Sequence, residues 1–331
     1  MNKNKLFLAC IFFLGFQVNA QDNSKIFTKE KNQPDFDKII LPSTQIEVLS
    51  KGHNWLEGPV WDKINNELLF NDVPKNTTYS WKEDVGLAIF LRPSGFYFAG
   101  NNGPSIGANG MELDKNNNLI LCEHGTRSIT RLNRNDFTKE TLVDSYQSKK
   151  LNSPNDLIFN KKGEMFFTDP PYGLKGGNSS PLKEQPHNGV YKLDTLGKIT
   201  LLTTEMTMPN GIALSIDERK LYVSQSDVQS TLIKEFEFNT DGSLTKGKIL
   251  HDGTKLKNEG KKGLCDGLAV DKVGNIFATG PGGVWILNSK GEMLGYLTTG
   301  LAMANCTFGP DGYLYITAGE YLARVKTETG I

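Results

Sequence analysis

The stretch SPNDLIFNKKGEMFFTDPPYG, Ser153 to Gly173, begins with a polar doublet, Asn155-Asp156, and a short apolar run, Leu157-Ile158-Phe159. A turn at Asn160-Lys161-Lys162-Gly163, a second apolar run, Met165-Phe166-Phe167, and a polar exit, Thr168-Asp169, follow. Two runs of β-type residues across an Asn/Gly turn read as a hairpin. The pattern recurs as EGPVWDKINNELLF from Glu57, NGMELDKNNNLILC from Asn109, NGIALSIDERKLYV from Asn210, DGLAVDKVGNIFAT from Asp266 and NCTFGPDGYLYIT from Asn305. A period of roughly 40–50 residues with several short strands per repeat is that of propeller blades. The chain is therefore expected to be all-β: a six-bladed β-propeller with a central metal site.

Each copy opens on a polar residue: Glu57, Asn109, Asn155, Asn210, Asp266 and Asn305. In a propeller the equivalent ends of the innermost strands meet around one channel, so six oxygen-bearing side chains are expected at one axis. Two carboxylates and four carboxamides, with no His or Cys, form a hard-oxygen cage suited to Ca²⁺ rather than Zn²⁺. Asn or Asp before a strand is also ordinary turn chemistry, but recurrence in register, with Glu and Asp in two copies, favours the cage.

Length alone is compatible with more than one domain, but a repeat array can run this long as one unit. The 37 basic and 37 acidic residues balance, and no basic block points to nucleic acid or an anionic membrane. Residues 1–20 read as a signal peptide: Lys3 and Lys5, the apolar run Leu6–Phe16, then Val18-Asn19-Ala20 as a cleavage site. The run is too short to span a membrane, so the mature protein is expected to be exported, periplasmic or secreted. Residues 21–45, polar and broken by Pro34 and Pro42, read as an arm or linker. Residues 46–331 form the propeller, with Ile46–Leu49 as a candidate strand closing the ring. Cys122, Cys265 and Cys306 are too few for a disulfide scaffold, and buried free thiols are favoured over a Cys265–Cys306 pair. No zinc Cys-x-x-Cys, P-loop, dinucleotide or Gly-x-Ser-x-Gly motif is present.

Beyond the cage, Cys122-Glu123-His124-Gly125-Thr126-Arg127 ends a strand on several polar groups. His124 and Arg127 are candidate substrate contacts, as are Asn109, Asn155 and Tyr172, whose ring could stack on a substrate. The Gly/Ser/Pro-rich segment 174–188 is long for a hairpin loop and is expected to form a mobile flap at the channel mouth.

These pieces together resemble the SMP-30/gluconolactonase/LRE family of six-bladed propellers, above all its exported bacterial gluconolactonases. The resemblance runs from about Trp55 to Val325 and rests on EGPVW at Glu57, CEHGTR at Cys122, SPND at Ser153, FTDPPYG at Phe167, PNG at Pro209, DG at Asp266 and ANC at Ala304. It implies one divalent cation, Ca²⁺ first with Zn²⁺, Mn²⁺ or Mg²⁺ as alternatives, held by Glu57, Asn210 and Asp266, with Asn155 on the metal or on substrate. It implies a small-molecule sugar lactone as substrate, and no nucleic-acid or, after signal removal, membrane partner. Some animal members carry an Arg where this chain has Ser153, so sugar recognition must come from elsewhere.

A divalent cation can polarise a lactone carbonyl and hold the developing oxyanion. Asp266 is the candidate base, directly or by steering a metal-bound water. No partnered Ser or Cys nucleophile is visible, which favours direct water attack. Two rivals fit the same cage: an esterase or organophosphate hydrolase, and a non-catalytic propeller that binds a sugar or protein.

Overall fold

The computed structural model describes residues 27–96 and 107–330. The segment read as a signal peptide lies outside them. The organising stretch is a hairpin: Leu157–Phe159 pairs antiparallel with Met165–Asp169, Leu157 opposite Phe167 and Phe159 opposite Met165. Gly163 supplies the left-handed residue of its turn, at φ +84°, and its N–H donates to the Asn160 carbonyl at 2.9 Å.

Six four-stranded antiparallel blades surround the axis. Blade 1 runs Leu56–Asp62, Glu67–Asp72, Thr77–Lys82 and Gly86–Leu91, and blade 2 from Ala108–Leu113 to Lys139–Val143. Blade 3 extends from Leu157–Phe159 to Ile199–Thr203, blade 4 from Pro209–Leu214 to Lys248–Asp252, and blade 5 from Leu268–Val270 to Met293–Thr298. Blade 6 takes three strands from the C-terminal end, Asn305–Phe308, Tyr313–Ala318 and Tyr321–Lys326, and its fourth, Ile46–Lys51, from the N-terminal side. The expected closing strand is thus in place. Arg324 fastens it: Nε donates to Glu47 at 2.8 Å, the guanidinium also pairs with Glu83, and it lies over the Tyr313 ring at 4.3 Å.

The described part of the expected arm is packed rather than free. Thr28–Lys31 adds a fifth strand to blade 5, and Phe36, Ile39 and Ile40 are buried between blades 5 and 6. TKEK carries no apolar face, so this strand is held by backbone hydrogen bonds and by the Phe-x-x-Ile-Ile residues behind it. No described helix is long and apolar enough to cross a membrane.

A hydrophobic cluster fills each interface between neighbouring blades. Met165 and Phe167 point toward blade 2, while Phe166 points toward blade 4. That is why the strand reads as a continuous apolar run: both faces are buried. Phe167 is fully buried and stacks on Tyr191 at 5.3 Å between centroids. Phe167→Ala is expected to cost about 3–5 kcal/mol of stability, read as a lower urea midpoint at unchanged slope. Cys122, Cys265 and Cys306 are buried free thiols, and Cys265 and Cys306 lie in different clusters.

The Glu-Gly and Asn-Gly pairs that open the repeats are not turns. A Cβ on Gly58 would meet the Asn109 carbonyl oxygen at 2.1 Å, and one on Gly211 the Asp266 carbonyl oxygen at 2.3 Å. Glycine here lets inner strands of neighbouring blades touch backbone to backbone at the axis.

Candidate active site

Polar side chains of blades 1, 3 and 4 clip the next blade's opening residue. Asn71 Nδ2 donates to the Asn109 carbonyl at 2.8 Å, Thr168 Oγ1 to the Asn210 carbonyl at 2.6 Å, and Ser224 Oγ to the Asp266 carbonyl. The inner strands also bulge where these residues sit: between Glu57 and Val60, Ala108 and Met111, and Pro209 and Ile212. Such bulges re-aim side chains. Clip and bulge together turn the opening residues toward the channel.

A cavity of about 670 Å³ results, with Glu57, Asn109, Asn155, Asn210 and Asp266 among its lining. His124 and Tyr172 line it too, with apolar wall from Trp55, Val73, Pro74, Leu264 and Met303. Five of the six repeat openings therefore meet as expected. Asn305 stays on the ring without lining this cavity: its side chain hydrogen-bonds Glu57 and Asp156, and it lines a separate pocket with Asp156, Gly58 and Leu157. Its side chain lies against Gly267, and its Oδ1 accepts the Cys306 N–H at 2.8 Å. A glycine neighbour leaves room for the carboxamide to fold onto its own strand.

Arg127 is not among the residues lining the cavity. Its Nε donates to the Leu151 and Asn152 carbonyls at 2.8 and 3.1 Å, and Nη1 pairs with Glu184 at 3.5 Å. The residue is at φ +59°, and this turns a candidate substrate contact into a clamp on the loop before blade 3. The segment 174–188 does not line the cavity either. Leu174, Ser180, Gln185 and Asn188 are buried, Gln185 Nε2 donates to the Tyr146 and Lys149 carbonyls, and Asn188 Nδ2 donates to the Thr207 carbonyl. Its carboxamides satisfy neighbouring backbone, so the expected flap is a pinned loop.

The electrostatics are set by burial. Glu57 is pushed up to about 8 by desolvation, against the hydrogen bond that Trp55 Nε1 donates to its Oε1 at 3.1 Å. Asp266 is pushed well above the usual carboxylate range by burial first, then by the charges of Glu57 and Asp156. Asp156, beneath the cavity, is raised to about 6 by burial, offset by backbone donors including the Leu157 N–H at 3.0 Å. Burial holds the Tyr172 phenol above its ordinary value and lowers His124 to about 4, so both are neutral near pH 7. Asn210 is oriented by donating Nδ2 to Ser226 Oγ at 2.9 Å, while Ser226 donates to the Cys265 carbonyl at 2.6 Å.

These residues fit a divalent cation. Asp266 Oδ1 is buried with no hydrogen-bond partner among the described residues, and no basic side chain is among the groups that shift Glu57 or Asp266. Two mutually repelling carboxyls that lack a cationic neighbour are what a bound cation would compensate. Among the described residues no three His, Cys, Asp or Glu side chains are placed to share a metal, so a cation would draw on the Asn155 and Asn210 carboxamides as well.

Residues 55–320 match the family described as the SMP-30/Gluconolactonase/LRE-like region. The chain belongs to that family. It is 40% identical over 317 residues to a gluconolactonase of Zymomonas mobilis subsp. mobilis, spanning 94% of this chain and 89% of that one. Among solved structures, a gluconolactonase from Xanthomonas campestris superimposes with a TM-score of 0.78 at 31% identity, covering 90% of this chain and 94% of that one. A putative gluconolactonase gives a TM-score of 0.80 at 28% identity, covering 92% and 99%. For this member of the SMP-30/gluconolactonase/LRE-like family, the motifs at Glu57, Asn155, Asn210 and Asp266 were legible in sequence. The parts that hold them were not: Trp55, two residues before Glu57, and Ser226, a strand away from Asn210, carry no signal beyond position.

Proposed function

We propose that the protein is a lactone hydrolase acting on sugar lactones, with a divalent cation held by Glu57, Asn155, Asn210 and Asp266. The observation that carries this reading is the unpartnered, buried Asp266 Oδ1 beside Glu57 in the axial cavity, in a chain 40% identical to a gluconolactonase. A cation bound there supplies Lewis-acid polarisation of the lactone carbonyl and stabilises the oxyanion. The protein's own groups do the rest. Asp266, which the charge of a bound cation would keep as the carboxylate, accepts the proton of the attacking water as general base. Tyr172 and His124, both neutral, hold substrate hydroxyls, and Asn109 adds a carboxamide on the same wall. The ring oxygen released on opening takes its proton from solvent or from Asp266. Ca²⁺ is the first choice of metal because the donors are all oxygen.

Hydrolysis of glucono-δ-lactone, followed by pH-stat with and without a chelator, tests this. Chelation is expected to lower the rate at least about a hundredfold, the order of a lost oxyanion stabiliser. Returning Ca²⁺, Zn²⁺, Mn²⁺ or Mg²⁺ should restore it to different extents. An unchanged rate under chelation overturns the metal role, and no hydrolysis of any aldonolactone by the metal-replete protein overturns the reading itself.

A further inference from the structure

The cavity's mouth is basic. Lys257, Lys261 and Lys262 line it, all from the connection between blades 4 and 5, and Lys261 and Lys262 are exposed. None of the three makes a salt bridge among the described residues, whereas neighbouring Lys255 reaches Glu259 at 4.0 Å. The connection is held by backbone hydrogen bonds, within itself and to blade 5: Lys261 N–H donates to the Leu256 carbonyl at 3.1 Å, and Gly282 N–H to the Lys262 carbonyl at 2.7 Å. The Lys261 stem packs over Gly282, with Cδ 3.6 Å from where a Cβ would stand. These are cations on a fixed wall.

The floor and the mouth differ in charge. With a divalent cation bound, Glu57 and Asp266 are balanced, so the three lysines leave the cavity positive. At about 670 Å³ the space falls in the range that holds a drug-sized ligand, about 300–1,000 Å³, more than a single hexonolactone needs. A positive mouth over a neutral reaction centre attracts and orients a ligand whose negative charge lies away from the reacting carbonyl.

We infer that the preferred substrates are anionic lactones, with a carboxylate or phosphate held by Lys257, Lys261 and Lys262 while the lactone carbonyl sits at the axial site. This rests on the lactonase reading for the reaction and adds the substrate class. Solvent-exposed ion pairs are each worth about twofold in affinity, so three together should give about a tenfold preference, screened by salt.

The test compares glucono-δ-lactone with 6-phosphoglucono-δ-lactone and with glucaro-1,4-lactone, whose anionic groups are a phosphate and a carboxylate. The protein is the metal-replete full chain, as wild type and as Lys257→Gln/Lys261→Gln/Lys262→Gln. The wild-type ratio of kcat/KM, anionic over neutral, is expected to be about ten or more in low salt and to shrink in 0.5 M NaCl. It should fall about tenfold in the triple variant, through KM. Preference confined to one anionic lactone identifies which group the lysines hold. A ratio near one in the wild type, or a ratio the variant leaves in place, overturns the proposal. If no lactone is turned over, the reaction has failed rather than the mouth. Calorimetry with sorbitol 6-phosphate against sorbitol, neither of which can react, then decides. Equal binding of the two, or equal binding of the phosphate by both proteins, overturns it.

Discussion

Asp266→Asn is expected to lower kcat/KM for the best lactone by about 10²–10⁴-fold, the usual worth of a general base, while the propeller stays folded. The fold is insensitive because Asp266 is held by its main chain. Its N–H donates to the Thr279 carbonyl at 3.2 Å, and its carbonyl accepts from Ser224. Asparagine keeps an oxygen and nearly the same volume but removes the proton acceptor and one negative charge from the cage. Assays at saturating metal separate lost chemistry from weakened metal binding. Asn109→Ala, on the same cavity wall, should cost less than about tenfold, the order of one hydrogen bond.

Stability should move the other way. The folded-state pKa of Asp266 is raised above its ordinary 3.8, so the stability of its protonated form is present below 3.8 and lost as pH rises through the raised value. Metal-free Asp266→Asn is therefore expected to melt at or above the metal-free wild type at pH 7. If Asp266→Asn keeps most of its activity at saturating metal, the base lies elsewhere.

That residue was legible because it opens a repeat. The inner hairpin carries two apolar runs and a turn in every copy, so blade number and the ring of polar openings follow from alignment of the copies. What was hidden depended on partners distant in sequence. Thr28–Lys31 has no apolar alternation because the edge of blade 5 holds it through backbone hydrogen bonds. Arg127 resembles a substrate contact until the Leu151 and Asn152 carbonyls are seen to take its Nε. Residues 174–188 have the composition of a free loop, yet Gln185 and Asn188 bind backbone groups from other segments. The lysines at 257, 261 and 262 belong to no motif, and only the path of the connection between blades 4 and 5 brings them to the cavity. Asn305 shares the repeat position but does not line the cavity, because its carboxamide lies against Gly267 and is taken up by Glu57 and Asp156.

Gly58→Ala is expected to damage both the fold and the site. Gly58 sits in the inner-strand bulge of blade 1 at φ +51°, where a side chain costs about 1–2 kcal/mol. Its added Cβ would also stand 2.1 Å from the Asn109 carbonyl oxygen and 3.0 Å from Gly110 Cα, both backbone atoms that no rotamer change can move. Relief requires blades 1 and 2 to separate at the axis, an overpacking cost of about 1–3 kcal/mol. The total is about 2–5 kcal/mol. Glu57 is the preceding residue and pairs with Asn71, which itself donates to the Asn109 carbonyl. The shift that relieves the clash therefore moves a proposed metal-holding carboxylate and its clip together. Displacements of this kind cost up to about a hundredfold in rate, so kcat/KM should fall at least about tenfold even at saturating metal. Gly52→Ala is the control: Gly52 has φ +86° with no atom within 4 Å of an added Cβ, so it carries the conformational cost alone. Urea midpoints and kcat/KM for the two variants separate the contributions. Equal loss in both would mean that backbone conformation accounts for Gly58, and that the blades need no close contact at the axis to hold Glu57 in place.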